Sequence, residues 1–395
     1  MPAIKRPDTL SAADSAPCCG PASQPIAGEI RESIHSHEMS PIGFAGDRPG
    51  YRQERFVLGW HATSLGPVPQ VATHLSAADR LGGMGVRWGI GRGRYRVIPG
   101  LYAVGSPGAQ SPVIVTANYK LTFDALRKEL SGLDAWLLVL DTKGVNVWCA
   151  AGKKTFSAEE IVRRVRACGL ERLVAHRTLV LPQLAAPGVA AREVRRGCGF
   201  KAVFGPVCAR DLKAFIEADL QASPEMRRVS FGLWDRLAVA PVEIHNARRK
   251  ALYAALILLV LAGLGPGVWS VGRMLDRWPA AFGSLALGFF GGAFIMPALL
   301  PWLPFRAFAL KGGLAGLAMG TLAAALFAGG LGWLDGLAMI LAATAVGSWY
   351  GLNYTGSSTF TSPSGVEREL RRYMPAQAVL TLAALVAWLV SPFAA

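Results

Sequence analysis

The sequence has few charged residues after residue 250. Residues 251–395 contain seven basic and four acidic side chains, out of 41 and 26 in the whole chain, so residues 1–250 carry +12 of the formal net charge of +15. Long apolar runs take the place of the missing charges. Five of them approach or exceed the ~20 residues that cross a bilayer, and they lie near 251–271, 280–300, 306–328, 331–352 and 376–393. The composition predicts a basic, water-exposed part followed by an all-α transmembrane domain of five spans, 251–395.

A secretory signal is also missing, since the first thirty residues are polar and include no apolar core segment. Orientation in the membrane follows from Lys and Arg, which favour the cytoplasmic side. Basic clusters at 248–250 and 368–372 precede the first and last spans. They predict a multi-pass protein of the inner (cytoplasmic) membrane whose residues before 251 lie in the cytoplasm. Arg273 and Arg277, in a short predicted outer loop, are exceptions to the rule.

The predicted spans are rich in small residues and poor in ionisable ones. Gly312, Gly316 and Gly320 recur at four-residue spacing, which suits close packing of membrane helices. Lys311 and Asp335 fall near span ends, from which their side chains can reach the interface. Because no ionisable residue is expected deep in a span, an anchor or docking platform is favoured over a transporter.

The six cysteines form no CxxC pair and no cluster-binding run, so any electrons must come from another protein. A cytoplasmic chain is expected to hold thiols and not a disulfide framework. Cys18-Cys19, in a predicted disordered N-terminal tail (1–50), are either a soft-metal pair or an incidental pair. His35 and His37 are weaker candidate ligands. Three further cysteines fall in or beside helix and strand patterns and are predicted to pack in the core: Cys168, Cys198 and Cys208.

No nucleic-acid motif accompanies the positive charge, and the basic residues are scattered, so nucleic acid is not a predicted partner. The stretch 82–100 is dense in Gly and Arg. Its glycines do not match GxGxxG, which makes a phosphate loop a weak interpretation. Together with the apolar run 56–60, this stretch is predicted to be a strand-and-turn extension of the domain that follows.

Residues 51–222 alternate between apolar runs and helical patterns, which is typical of a Rossmann-like α/β domain with a parallel sheet. A basic linker, 223–250, follows it. The predicted strands are 113–119, 135–140, 173–174, 178–181 and 201–204. The predicted helices are 122–130, with Thr122 as N-cap, 157–168, with Ser157 and Glu160 as a capping box, 189–196 and 211–220.

Cys149 lies in the short segment Asn146-Val147-Trp148-Cys149-Ala150-Ala151-Gly152-Lys153, between the strand 135–140, a turn at 141–144 and the helix 157–168. With Asn146 as N-cap, Cys149 is the third residue of a helix, and Lys153 follows one turn later. The helix dipole and the lysine favour a thiolate. That thiolate suits a nucleophile with His176 as base, a redox sensor or a metal ligand. A buried structural cysteine explains the position equally well.

The octet 146–153 resembles the signature of the HgcA family, the corrinoid proteins of microbial mercury methylation. Two other segments carry the resemblance, 115–122 as the preceding strand and helix and 201–206 as a later strand. The order of a corrinoid domain and five membrane spans is also similar, over roughly residues 50–395. The family's corrinoid domain is in turn similar to the large subunit of the corrinoid iron–sulfur protein of acetyl-CoA metabolism, whose cluster-binding cysteines and barrel domain have no counterpart here.

The resemblance implies a cobalamin-type corrinoid at the carboxyl edge of the sheet, with Cys149 as lower axial cobalt ligand and catalytic residue. Axial ligands tune a bound metal, and a thiolate donor raises its electron density. The implied cofactor-binding residues are Thr116, Asn118, Thr122, Asn146, Val147, Trp148, Cys149, Ala150, Ala151, Gly152 and Lys153.

The implied activity is cobalamin-dependent methyl transfer from cobalt to Hg(II), which forms methylmercury. The implied partners are a methyl-tetrahydrofolate-linked methyl donor and a two-cluster [4Fe-4S] ferredoxin, HgcB-like, that donates electrons and carries Hg(II) on soft thiolates. Two other functions stay open from the residues. One is a corrinoid methyl carrier for a different acceptor, and the other is a membrane-bound thiol sensor without turnover.

Overall fold

A computed structural model describes residues 54–327, 329–356 and 363–394. The predicted tail 1–50, with Cys18-Cys19, His35 and His37, lies outside the described residues. The chain divides into two units, which are described separately. Among the described residues one unit comprises 54–282 and 293–299, and the other comprises 283–292 and 300–394.

The first unit is built on a mixed seven-stranded sheet. In chain order the strands are β1 (Val57–Thr63), β2 (Gly66–Val71), β3 (Gly100–Val104), β4 (Val113–Ala117), β5 (Ala135–Leu140), β6 (Thr178–Leu181) and β7 (Lys201–Phe204). Their order across the sheet is β1-β2-β3-β5-β4-β6-β7.

Two hydrophobic clusters, which take alternate residues of β3, β4 and β5, lie on the two faces of this sheet. The helices of this part are α1 (Ala77–Arg87), α2 (Lys120–Arg127), α3 (Val147–Gly152), α4 (Ala158–Ala167), α5 (Leu170–Leu173), α6 (Ala191–Cys198), α7 (Leu212–Glu217), α8 (Leu233–Leu237) and α9 (Ala240–Gly263). Every residue of β3, β4 and β5 is buried. Burial on both faces explains why these strands are continuous apolar runs without polar alternation.

The predicted parallel sheet is present as four strands. β5, β4, β6 and β7 run parallel to one another in that order. β3 pairs antiparallel with β5, and β1 pairs antiparallel with β2. The strand extension predicted for residues 51–110 therefore joins the same sheet and makes it mixed.

Several predicted boundaries are confirmed and others are wrong. The strands 135–140, 178–181 and 201–204 have the predicted limits. The strand predicted at 173–174 is instead the end of α5, which begins after the left-handed Gly169. α2 begins at Lys120, so Thr122 lies inside the helix and is not its N-cap.

A whole helix was missed in the glycine-rich stretch, because glycine lowers helix propensity. α1 includes Gly82, Gly83 and Gly85, and a capping box between Ser76 and Asp79 begins it. The partly buried ion pairs of Asp79 with Lys120 and Arg127 then fasten the start of α1 to α2. Tertiary contacts therefore outweigh the low propensity.

Long helices follow residue 240. After α9 come α10 (Val271–Phe290), a π-helical turn (Gly291–Ile295), α11 (Met296–Ala298), α12 (Phe308–Leu326), α13 (Trp333–Thr355) and α14 (Pro363–Val390). Three segments are long and apolar enough to cross a membrane: Val271–Ala298, Phe308–Leu326 and Ser364–Phe393. The count of five spans stays a prediction. Arg273 and Arg277 lie within α10, so the outer loop predicted for them is wrong.

The second unit packs α12 closely on α13, as the glycine spacing predicted. A Cβ atom on Gly320 would lie 2.9 Å from Ile340 Cα, and one on Gly316 would lie 3.1 Å from Thr344 Cα. Asp335 is buried and accepts a hydrogen bond from the Gly332 backbone N–H at the start of α13. Lys311 donates to the carbonyl oxygen of Leu300. Both side chains are thus engaged by local backbone.

Candidate functional site

The parallel strands place several loops at one edge of the sheet. The chain leaves β4, forms β5 on one side of it, and returns to form β6 on the other side. In open α/β sheets ligands bind outside the carboxyl ends of the strands at the point where the strand order reverses. That point lies between β4 and β6. The candidate site is therefore the edge formed by the residues that follow β4, β5 and β6.

Asn118 follows β4 directly and is almost fully buried. Its side-chain oxygen accepts hydrogen bonds from the backbone N–H groups of Thr142 (3.1 Å) and Gly144 (2.9 Å), and lies 2.9 Å from the Thr142 hydroxyl. Its side-chain nitrogen donates to Asp141 Oδ1 at 3.3 Å. Asn118 therefore positions the turn after β5. Its predicted direct contact with a cofactor stays a prediction.

The turn after β5 is the one predicted at 141–144. Lys143 and Gly144 both have positive φ, 58° and 73°, the conformation that glycine adopts without strain. Burial favours a raised pKa for Asp141, but hydrogen bonds from the Lys143 side chain and backbone, with the charges of Lys143 and Arg164, bring the pKa below its ordinary value of 3.8. Asp141 is thus a charged anchor for the turn. Sequence reasoning identified the turn but not Asn118 as its anchor.

The predicted helix at the octet is confirmed as α3. Asn146 is its N-cap, and the Asn146 side-chain oxygen accepts a hydrogen bond from the Cys149 backbone N–H at 2.9 Å. Val147, Ala150 and Ala151 are buried on the inward face. Trp148 and Cys149 are half-buried on the other side of the helix.

The inward face of α3 packs on the 3-10 turn Gln183–Gly188, which follows β6. A Cβ atom on Gly188 would lie 2.7 Å from the Cα atom of Ala151 and 2.6 Å from the carbonyl oxygen of Phe156. Only glycine permits this approach. Gly188 therefore fixes α3 across the reversal point, and sequence reasoning had not singled it out.

The same turn contributes an unsatisfied polar atom. The side-chain oxygen of Gln183 is buried and has no hydrogen-bond partner among the described residues. Buried polar atoms of this kind are costly unless a ligand or water completes them. A donor such as the peripheral amides of a corrin ring would satisfy this oxygen. The Gln183 oxygen follows β6 at the carboxyl edge of the sheet, and its acceptor chemistry fits an amide-rimmed ligand.

Tyr119 and two arginines form the electrostatic surroundings on the β4 side. Burial raises the pKa of Tyr119, Arg92 and Arg87 act to lower it, and Cys149 acts to raise it. Cys149 is thus within electrostatic range of a buried phenol that cationic side chains also reach. Sequence reasoning had assigned none of these three residues to the site.

The other predicted site residues are placed as follows. Thr116 is buried within β4, Thr122 is half-buried in α2, and Gly152 and Lys153 are exposed at the end of α3. Ser157 begins α4, but Glu160 accepts from the Asp141 backbone N–H and pairs with Arg164, which departs from the predicted capping box. α4 is thereby tied to the turn after β5.

His176 cannot serve Cys149 as a base. It precedes β6 at the amino end of the sheet, where its ring nitrogens meet the Ser111 carbonyl oxygen (2.9 Å) and the Thr178 backbone N–H (3.2 Å). Cys149 lies beyond the carboxyl end of the parallel strand β5. Cys168 is buried as predicted, whereas Cys198 and Cys208 are half-buried. In the part of the chain that the structure describes, no three His, Cys, Asp or Glu side chains group to hold a metal ion.

Comparison with known proteins identifies relatives of the segment that contains the candidate site. Residues 92–213 match the model of a family described as CO dehydrogenase/acetyl-CoA synthase delta subunit. Acetyl-CoA decarbonylase/synthase complex subunit gamma of Archaeoglobus fulgidus is 35% identical over 124 residues, 31% of this chain and 26% of that protein. The same subunit of Methanocaldococcus jannaschii is 40% identical over 94 residues, 23% of this chain and 19% of that protein.

The matched segment contains β3 to β7, α3 and the turn with Gly188. It is similar to the corrinoid-binding domain of corrinoid iron–sulfur protein subunits. The predicted cofactor, a cobalt corrinoid, is confirmed. The chain spans about a quarter of the length of the curated relatives it matches. The likeness is to a corrinoid protein family involved in methyl transfer chemistry.

Proposed function

We propose that the protein is a membrane-anchored corrinoid methyltransferase that passes a methyl group to Hg(II), with Cys149 as lower axial ligand of cobalt. The observation that carries the proposal is the position of Cys149. It lies half-buried on α3, which packs at the reversal point of the sheet, within the segment that matches the family model.

The residues of the chain hold and orient the cofactor in this proposal. A bound cobalt corrinoid supplies a metal that accepts and releases a methyl group. Asn146 and Gly188 set the position of α3. Cys149 would supply sulfur to the metal, and the unpartnered oxygen of Gln183 would accept a hydrogen bond from an amide of the cofactor. The inward Val147, Ala150 and Ala151 keep the helix in place by packing.

The soft substrate suits soft ligand chemistry. Hg(II) prefers thiolates, which favours delivery from the cysteines of a ferredoxin partner that also supplies electrons. A methyl-tetrahydrofolate-linked donor would provide the methyl group. The domain would be Rossmann-like and cytoplasmic, and five spans in the inner membrane would follow it in the chain. The similarity to subunits of an acetyl-CoA complex favours a second candidate, a methyl carrier for a different acceptor.

The ligand role is tested by spectroscopy on the full-length protein with cobalamin. We expect C149A to bind cobalamin but to lose the visible and electron paramagnetic resonance features of a sulfur ligand. C208A is the matched control, because Cys208 is another half-buried cysteine, located after β7. Identical spectra of C149A and the unaltered protein would contradict the ligand role. Absence of any corrinoid spectrum would contradict both candidates.

The acceptor is tested in a host that receives this gene with its ferredoxin partner and isotopically labelled Hg(II). We expect labelled methylmercury from cells with the unaltered protein and from cells with C208A, and none from cells with C149A. The carrier function would be established instead by two results together. Cells with the unaltered protein would make no more methylmercury than a gene-deleted strain, and the protein itself would bind cobalamin and take up a methyl group.

A further inference from the structure

α1 directs its large apolar side chains outward. Leu81, Met84 and Trp88 recur at helical spacing and are 64%, 55% and 51% exposed, and Ile90 just beyond them is 63% exposed. Its inward face carries Gly83 and Val86. A helix on the surface of a domain ordinarily buries its apolar stripe. We call Leu81, Met84, Trp88 and Ile90 the α1 patch.

Arginines surround the α1 patch. Arg80 and Arg87 lie beside it on α1, and the turn that follows adds Arg92, Arg94 and Arg96, all exposed. The acidic residue of the helix, Asp79, is held by Lys120 and Arg127 on the inner side. An apolar stripe with tryptophan and flanking cations is the chemistry of a helix that lies in a membrane interface and attracts anionic lipid.

The turn after α1 touches α9 within the same unit. A Cβ atom on Gly89 would lie 2.9 Å from Cγ of His245. His245 is five residues before Lys250, which is ~8 Å along a helix. The exposed cluster 248–250 is followed by exposed Leu252, Tyr253 and Leu256. That change from basic to apolar residues marks the headgroup level on a helix that enters a bilayer.

We propose that the α1 patch rests in the headgroup region of an anionic membrane, in the leaflet that α9 enters. Two observations favour an anionic membrane as the occupant of the patch. The patch lies close to the basic-to-apolar boundary of α9, and five arginines surround it. The patch then gives the domain a second attachment beside α9 and limits how it tilts over the membrane. The inference is independent of the proposed cofactor chemistry, but it rests on the proposed membrane anchor, whose first predicted span begins in α9.

The test is quenching of Trp88 by brominated lipid. The full-length protein and W88F are placed in nanodiscs of phosphatidylcholine with phosphatidylglycerol in equal parts, or of phosphatidylcholine alone. In each, ordinary lipid is compared with its brominated form. Because the chain has 11 tryptophans, the emission of Trp88 is obtained by subtracting the fluorescence of W88F from that of the unaltered protein. We expect brominated anionic lipid to quench most of that difference, and neutral lipid to quench it less.

Two further variants complete the experiment. W60F is the matched control, since Trp60 lies in β1. The emission lost in W60F belongs to Trp60, and we expect brominated lipid to leave that emission unchanged. R92Q/R94Q/R96Q is expected to lower the Trp88 quenching in anionic nanodiscs to the neutral-lipid level. Trp88 emission that brominated lipid leaves unchanged in both compositions would overturn the proposal, and would direct attention to an acidic protein partner for the same surface.

Discussion

Single side chains decide the geometry of the carboxyl edge of the sheet. The amide of Asn118 is engaged by the turn after β5, while its contact with a cofactor stays a prediction. A side chain that satisfies several backbone groups in a buried turn acts on a site by holding it in place. Asn118 is therefore a positioning residue for the segment that leads to Cys149.

Replacing Asn118 with Ala should lower stability and weaken cobalamin binding together. The change leaves the buried N–H groups of Thr142 and Gly144 without their acceptor, and each unsatisfied group costs about 1–3 kcal/mol. Thermal unfolding and cobalamin titration of the full-length protein measure the two effects. N246A, which removes the exposed side chain of Asn246 on α9, should change neither. Unchanged unfolding of N118A would contradict the positioning role.

Asp141 should make the domain sensitive to acid. Its folded-state pKa lies below the ordinary value because of Lys143. The stabilisation is therefore present above the ordinary pKa and is lost as the pH falls through the folded-state pKa. We expect the melting temperature of the unaltered protein to fall more steeply below the ordinary pKa of 3.8 than that of D141N. Parallel pH profiles would show that Asp141 contributes no such linkage.

At the level of elements, α3 is too short to be stable by itself. A helix of six residues cannot offset its nucleation cost from internal hydrogen bonds. It persists through the Asn146 cap and through packing on the turn Gln183–Gly188. The position of Cys149 thus depends on an element that is distant in sequence.

Replacing Gly188 with Ala should displace α3. The added Cβ meets the backbone of Ala151 and Phe156, and overpacking of this kind costs about 1–3 kcal/mol. We expect the Kd for cobalamin to rise by roughly ten-fold, the equivalent of about 1.4 kcal/mol. Isothermal titration provides the measurement. G59A adds a Cβ in open space in β1 and should bind like the unaltered protein, and equal affinity of G188A would show that the contact is not needed.

At the scale of the whole molecule, two units have different sources of stability. The sheet unit buries continuous apolar strands and an ionic cluster around Arg127. The second unit depends on close backbone approach between α12 and α13 at glycines, as helices in lipid commonly do. A substitution in the second unit should therefore leave cobalamin binding by the sheet unit intact.

G316A should lower the thermal stability of the second unit and spare cobalamin binding. Its Cβ would meet the Ala343 carbonyl oxygen, at a cost of about 1–3 kcal/mol. G336A is the matched control in α13, where the nearest atom to an added Cβ is 3.9 Å away. Circular dichroism melting in detergent and cobalamin titration measure the two properties. A G316A melting curve that matches G336A would contradict the packing account.

The sequence by itself determined the local elements with strong signals. The run 135–140 and the cap at Asn146 with Cys149 on the third helical position could be located because apolar runs and caps act over a few residues. The tertiary structure alone decided the rest. α1 forms through glycines because distant ion pairs hold it. His176 is separated from Cys149 because the strands between them are parallel, and Gly188 lies against α3 because the chain reverses direction between β4 and β6. Those contacts join residues far apart in the chain, and no local pattern encodes them.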